Sequence, residues 1–186
     1  MMPEISLNIL DVVQNSVKAG AKLTTLSCII DTKADTLTVI IDDDGCGMTK
    51  EQVESVTDPF FTTRTTRKVG LGVPFFKMAA ESTGGSFDIV SEKGKGTTVT
   101  SVFVLSSIDR MPLGDMVSTV HMLATQSGKM ELVYHYVVDE KEFTMDTRQF
   151  REILGEDVSF SEPEVSAYIR DYLKENTEEV NAGQEF

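Results

Sequence analysis

The chain has 186 residues, a formal net charge of −13 and enough apolar residues, 40%, to build a buried core. It contains no run of 18 or more apolar residues, which excludes a membrane-spanning helix, and two cysteines are too few for a disulfide framework. Residues 108–186 hold 17 Asp and Glu against 7 Lys and Arg, and this surface would repel a phosphate backbone, which disfavours duplex nucleic acid as a partner.

The first part of the chain alternates between helical and strand periodicity. It predicts, in order, a helix, two strands, a short helix, an aperiodic loop, a helix and two more strands, over residues 4–19, 24–31, 36–42, 50–56, 57–71, 72–82, 86–91 and 97–105. Strands joined by such short connections pair as hairpins, so the sheet should be largely antiparallel. We therefore predict an α+β fold, a two-layer α/β sandwich with helices over one face of the sheet.

The second part, after a candidate boundary near Pro112, has its own set of elements. The predicted elements are an apolar helical stripe over 113–124, a hairpin of 131–138 and 142–145, a helix capped by Asp146 or Thr147 and ended by Gly155, and a last helix opened by a Ser161–Glu164 capping box. We expect residues 177–186 to be frayed. The predicted domains are residues 1–106 and a small acidic α+β appendage, residues 107–186.

The first helix presents three polar side chains on one narrow face. At 100° per residue, Asn15 lies near 40° and Lys18 near 340° when Asp11 is set at zero, while most apolar side chains occupy the opposite arc. An amide oxygen suits Mg²⁺, an ammonium suits phosphate, and a carboxylate can orient or deprotonate water. This face predicts a ligand site, with an ordinary solvated face as the alternative.

A strand that ends in acidic residues runs into a glycine turn at residues 42–48. Gly45 and Gly47 permit positive φ and the close approach of a planar ligand, and a carboxylate here can accept a hydrogen bond from an exocyclic amine. A simple Asp-Gly turn is the alternative. A calcium loop is disfavoured because Ile40 stands where its first ligand should be.

A further glycine-rich segment follows the basic residues that begin at Arg64. Gly70, Leu71 and Gly72 lead into a helix, whose N-terminal N–H groups can bind phosphate. The segment is not a dinucleotide fingerprint, because no strand precedes it, and the chain has no Walker-type phosphate loop. Residues 94–97 form a tight turn that enters a strand.

These motifs, in this order over about the first 105 residues, resemble the GHKL ATPase superfamily, which includes gyrase, the large heat-shock chaperone, MutL-type mismatch-repair ATPases, histidine kinases and anti-sigma-factor kinases. Residues 11–21 are similar to its Asn box, 43–47 to its first glycine box, 58–63 with 70–72 to a kinase-type lid and second glycine box, and 94–97 to its last box. The resemblance implies a Bergerat-type ATP-binding fold.

The resemblance also implies residue roles. Asn15 would be the Mg²⁺ ligand, Asp43 would bind adenine, and Thr97 would support the adenine through water. The other implied nucleotide contacts are Lys18, Gly45, Gly47, Met48, Arg64, Gly70, Leu71 and Gly72. Asp11 occupies the place of the catalytic base, where hydrolysing members have Glu and many histidine kinases have Asn. Because Asp is one methylene shorter than Glu, we do not expect strong ATPase activity.

The short lid and Lys18 favour the kinase branch, yet no helical pair with a phospho-acceptor histidine precedes the domain. His121 and His135 are interpreted as packing or surface residues. We therefore predict a stand-alone cytoplasmic protein that binds Mg-ATP and phosphorylates a partner protein in trans or hydrolyses ATP slowly. The alternative is a non-catalytic, ATP-gated binding module. Formation of a homodimer stays open, and no membrane partner is expected.

Overall fold

The fold is seen in a computed structural model, which describes residues 4–58, 71–126, 128–155 and 157–186. Its elements are α1 (Ile5–Lys18), β1 (Leu23–Asp31), β2 (Thr36–Asp43), α2 (Lys50–Thr57), α3 (Gly72–Ser82), β3 (Ser86–Glu92), β4 (Gly96–Val104), α4 (Met116–Gln126), β5 (Glu131–Val138), β6 (Lys141–Asp146), α5 (Thr147–Leu154) and α6 (Pro163–Asn181). Among these helices none is both long and apolar enough to cross a membrane.

The strands form one six-stranded sheet in the order β3-β4-β2-β1-β5-β6. Neighbouring strands are antiparallel, as the short connections predict, except that β5 lies parallel to β1. A parallel pair requires a long crossover, and α4 belongs to the segment that supplies it. The predicted α+β architecture is confirmed.

Alternation along the strands decides which side of the sheet is the core. In β1 the side chains of Leu26, Cys28 and Ile30 are fully buried, while the residues between them are only partly buried. Burying a Leu or Ile side chain contributes about 1.5–3 kcal/mol each to the free energy of folding. Burial also raises the pKa of the Cys28 thiol to about 12, so this free cysteine behaves as a small apolar residue.

Two local predictions about helix ends have different outcomes. Thr49 does cap α2: its hydroxyl accepts from the Gln52 N–H, and its own N–H donates to the Gln52 side chain. The Ser161 capping box is wrong, because α6 begins at Pro163 with Glu162 as its N-cap. Proline suits the first helical position, since its missing N–H would have no partner there.

The end of α6 also differs from the expectation of a frayed segment after residue 176. The helix continues to Asn181 because Val180 is buried in the core and the Asn181 amide oxygen accepts a hydrogen bond of 2.8 Å from the Tyr136 hydroxyl. Tertiary contacts therefore extend a polar segment that would fray in isolation.

The C-terminal hairpin extends the sheet of the first segment. The β1–β5 register runs from Leu23 opposite Glu131 to Ile30 opposite Val138, so eight residue pairs join residues on the two sides of the predicted boundary. An aromatic cluster connects the core side of this hairpin to α5 and α6. Its ring contacts join Tyr134, Tyr136, Phe143, Phe150 and Tyr172.

The division into domains 1–106 and 107–186 stays a prediction.

Candidate functional site

Helix α1 meets the end of strand β2 at the carboxylate of Asp43. The Ser16 hydroxyl donates a hydrogen bond of 2.6 Å to Asp43 Oδ2, and the Gly45 N–H donates one of 2.9 Å to Oδ1. The Asp43 side chain lies on the core side of β2 and is only partly exposed. An ionised carboxylate has about four acceptor positions, so this one can accept further hydrogen bonds from a ligand.

The glycine turn after β2 packs directly on the β3–β4 hairpin. Gly47 has φ of +62°, and a Cβ added there would overlap the Glu92 carbonyl oxygen. The Gly94 N–H donates to the Cys46 carbonyl at 2.7 Å. Glycine is therefore required at position 47 both for its backbone conformation and for close packing of two loops.

A hydroxyl cluster supports the same end of the sheet. Thr97 lies opposite Asp43 on one side and opposite Ser91 on the other. The Ser91 hydroxyl lies 2.8 Å from the Thr97 hydroxyl, accepts from the Met48 N–H at 2.8 Å and contacts the Gly96 carbonyl at 2.9 Å. Ser91 therefore connects the strand carrying Thr97 to the glycine turn through Met48.

The N-terminus of α3 abuts α1 at Asp11. A Cβ added to Gly72 would lie 2.9 Å from the Asp11 Cβ and 3.4 Å from its Oδ2, which is too close for any side chain larger than hydrogen to be accommodated without movement. Leu71, the N-cap of α3, is exposed. The structure thus brings Gly72, the last residue of the predicted second glycine box, against the predicted catalytic carboxylate.

The other polar residues of α1 have few partners in the described part of the chain. The Asn15 amide is partly exposed and makes no hydrogen bond there, and Lys18 is exposed without an ion pair. A lysine in the last turn also interacts favourably with the helix dipole, so its position alone does not indicate phosphate binding. The predicted contacts Arg64 and Gly70 lie outside the described residues.

Asp44 has a structural role beside this site. Its Oδ1 accepts hydrogen bonds from the Leu23 N–H at 3.0 Å and the Lys22 N–H at 2.7 Å, and these backbone donors, Leu23 first, lower the pKa of the Asp44 carboxyl. The ionised carboxylate therefore ties the end of β2 to the beginning of β1.

A shallow cavity of about 290 Å³ also touches Asp43 and Thr97. It opens mainly on the face of the sheet opposite the hydrophobic core, whereas the side chains of Asp43 and Thr97 lie on the core side. Its lining includes Asp42 and Thr98, which alternate with Asp43 and Thr97 along their strands and are hydrogen-bonded to each other. This cavity does not include any residue of α1, so we distinguish it from the space beside Asn15.

Sequence reasoning missed two residues of this arrangement, Ser16 and Ser91. Ser16 follows Asn15 directly, but a serine in a helix carries no signal of its distant partner. Ser91 could have been found only from the strand register, which places it opposite Thr97. Both hydroxyls act by holding other groups of the candidate site.

Residues 4–107 match a family described as histidine kinase-, DNA gyrase B-, and HSP90-like ATPases. The chain is 34% identical over 102 residues to the sensor protein SrrB of Staphylococcus aureus; the match covers 52% of this chain but only 17% of that protein.

Two solved structures have a similar fold. One is the N-terminal domain of a DNA repair protein, with a TM-score of 0.54, 11% identity, and coverage of 78% of this chain and 53% of that one. The other is the Aquifex aeolicus MutL ATPase domain complexed with ADP, with a TM-score of 0.50, 13% identity, and coverage of 98% and 70%. At these identities the likeness concerns the fold alone.

Proposed function

This chain belongs to the family of histidine kinase-, DNA gyrase B- and HSP90-like ATPases, and from this membership we propose that it binds Mg-ATP beside α1 and the glycine turn. We further propose that it phosphorylates a partner protein in trans or hydrolyses ATP slowly. The observation that carries the proposal is the Ser16–Asp43 hydrogen bond of 2.6 Å, because it holds the residue next to Asn15 against the carboxylate proposed to bind adenine.

The donor set of these residues fits a magnesium nucleotide. Asp43 keeps free acceptor positions for the exocyclic amine of adenine, next to the Thr97 hydroxyl. The Asn15 side-chain amide oxygen is a hard ligand atom of the kind that Mg²⁺ prefers, and it makes no hydrogen bond within the described residues. The same residues contain no cluster of three or more His, Cys, Asp and Glu that could hold a metal by themselves. Phosphate oxygens and water would complete a site of this kind.

In the proposed reaction this chain mainly positions the nucleotide. Bound Mg²⁺ would neutralise charge on the phosphates, and phosphoryl transfer otherwise needs orientation more than covalent chemistry. Asp11 would accept the proton of the attacking hydroxyl, imidazole or water, which requires a separation of about 2.6–3.2 Å in the reacting complex. Lys18 would contact phosphate.

A second candidate function is a non-catalytic module whose affinity for a partner depends on ATP. It is favoured by the packing of Gly72 against the Cβ of Asp11. The aspartate side chain is also one methylene shorter than that of glutamate. A carboxylate so confined would reach an attacking group less easily than a glutamate would. A protein partner and a homodimer are compatible with either function.

One experiment tests both candidates. The protein is incubated with Mg-ATP labelled at the γ-phosphate, and phosphate release and label on added proteins are measured together with ATP binding. We expect wild type to bind ATP, and Asn15→Ala to lose Mg-dependent binding. Gln14→Ala, an exposed neighbour on the same helix, is the matched control and should bind normally.

The outcomes separate cleanly. If the Asn15→Ala and Gln14→Ala variants bind ATP equally well, the proposed site is contradicted. Transfer or release that is lost in Asp11→Asn while ATP binding persists would support the enzymatic function. ATP binding without either product in wild type would support the non-catalytic module instead.

A further inference from the structure

The apolar stripe of α5 extends beyond the core that it covers. Thr147 and Phe150, in its first turn, are buried. Ile153 and Leu154 follow Phe150 by three and four residues and so lie on the same side of the helix. Ile153 is nevertheless 81% exposed and Leu154 36% exposed. The apolar side chains in the second turn of α5 therefore lie on the protein surface rather than in the core.

A tyrosine of α6 borders the same place. Tyr168 is 57% exposed, and its ring contacts that of Phe150 edge-on, with centroids 6.0 Å apart. Phe150 thus lies between Tyr168 and the exposed turn of α5. We call the surface of Ile153, Leu154 and Tyr168 the α5–α6 corner. Exposed apolar side chains grouped around one ring, here that of Phe150, mark interaction sites more often than isolated apolar residues do.

Carboxylates flank the corner on α6. Glu164 and Asp171 lie four residues before and three residues after Tyr168, which places them next to it on the helix surface. Both are exposed, and neither has an ion pair with any residue that the structure describes. No ion pair among the described residues therefore neutralises these two carboxylates beside Tyr168.

The arginines of α5 do not neutralise these carboxylates, because each has another acidic partner. Arg148 binds Asp146 at 2.6 Å, and Arg151 binds Glu131 at 2.5 Å while stacking on the Phe160 ring at 4.4 Å. The charge balance of residues 108–186, 7 basic against 17 acidic, extends this negative field over the whole segment.

Charge complementarity selects the occupant. A second copy of this chain would bring its own carboxylates against Glu164 and Asp171 in a two-fold interface, which is repulsive. Nucleic acid and anionic membranes would be repelled in the same way. We propose that the α5–α6 corner docks a basic amphipathic segment of a partner protein, with apolar side chains on Ile153, Leu154 and Tyr168 and basic ones on the flanking carboxylates. This inference goes beyond the proposed nucleotide chemistry and does not depend on it.

The test uses a fluorescent synthetic 18-residue helical peptide with leucines on one face and lysines on the other, titrated with the full chain. We expect the double variant Ile153→Ser with Tyr168→Ser to weaken binding at least tenfold. The matched control, Val90→Ser with Ile108→Ser, removes two exposed apolar side chains elsewhere and should stay within twofold of wild type. The same peptide with glutamates in place of lysines should not bind.

A charge pair of variants completes the design. Glu164→Lys with Asp171→Lys should abolish binding, whereas Glu81→Lys with Asp88→Lys, the same charge change near the opposite edge strand β3, should reduce it only slightly. Equal losses in corner and control variants would mean nonspecific attraction and would overturn the proposal. So would a wild-type dimer in sedimentation that the Ile153→Ser, Tyr168→Ser variant loses. All variants should keep wild-type ATP binding, which separates this test from that of the proposed function.

Discussion

Asp43 is held in place before any ligand arrives. Its two carboxylate oxygens accept from groups on different elements, the Ser16 hydroxyl of α1 and the Gly45 N–H of the turn. Hydrogen bonds to a charged group contribute about 1.5–3 kcal/mol each. A carboxylate oriented in this way can recognise an amine donor without first losing rotamer freedom, which suits a specificity determinant.

Replacing Asp43 by Asn tests this residue directly. We expect Asp43→Asn to weaken ATP binding at least tenfold, equivalent to about 1.4 kcal/mol. One of the two acceptor oxygens becomes an NH2 donor, so the side chain can no longer accept from Ser16, from Gly45 and from the ligand amine together. Isothermal titration measures it. Asp42→Asn is the control, since Asp42 is bound to Thr98 on the other face, and it should bind as wild type. Equal affinities for all three proteins would contradict the role of Asp43.

At the scale of elements, specific hydrogen bonds join the glycine turn to the β3–β4 hairpin and helix α4 to helix α6. The glycine turn after β2 is locked to the β3–β4 hairpin by the Gly94–Cys46 and Met48–Ser91 hydrogen bonds. Helices α4 and α6 are joined through His121, whose Nε2 lies 2.8 Å from the Ser166 hydroxyl and 3.0 Å from its carbonyl oxygen. The contact between the two loops leads to a prediction about the stability of glycine variants, and the contact through His121 leads to a prediction about the pH dependence of stability.

Alanine at two glycines of the turn region should separate backbone strain from steric overlap. Gly47 and Gly94 both have positive φ, but a Cβ at 94 would meet open space while one at 47 would overlap the Glu92 carbonyl. We expect Gly94→Ala to lower the free energy of unfolding by about 1–2 kcal/mol and Gly47→Ala to lower it considerably more. Urea denaturation gives both values. Similar losses would show that the two loops separate easily.

His121 should make stability depend on pH. Burial first, and then the nearby Arg170 guanidinium, lower its pKa in the folded state. The stabilising contribution of the neutral ring is therefore complete above the unfolded pKa of about 6.5 and is lost as pH falls from there through the folded pKa. We expect Tm to decrease between pH 7 and 5, and less so in His121→Gln. His135→Gln, which leaves His121 in place, should retain the decrease; a decrease that both variants retain would contradict this assignment.

At the scale of the whole molecule, the parallel β1–β5 pair decides how far the chain behaves as a unit. Eight residue pairs cross between the segments before and after the predicted boundary at residue 106. Leu132 of β5 is fully buried within the common hydrophobic core. A continuous sheet and core favour one cooperative unfolding transition.

Tyrosine fluorescence provides a probe of one segment, because all four tyrosines lie between residues 134 and 172. We expect urea curves from tyrosine fluorescence and from far-ultraviolet circular dichroism to coincide. Leu132→Ala should shift both midpoints together, with a loss of about 2–5 kcal/mol from the cavity created. Two separate transitions would instead support the predicted division at residues 106 and 107.

The amino-acid pattern by itself determined the type and order of the elements and the family, because periodicity and the motifs around Asn15, Asp43 and Thr97 are local in the chain. It misplaced the α6 cap, where Ser161 and Glu164 satisfied a pattern that Pro163 overrides. Only the tertiary structure decided the parallel pairing of β5 with β1, the Ser16–Asp43 hydrogen bond and the approach of Gly72 to Asp11. These are contacts between residues far apart in sequence, and they depend on how the elements pack rather than on any local preference.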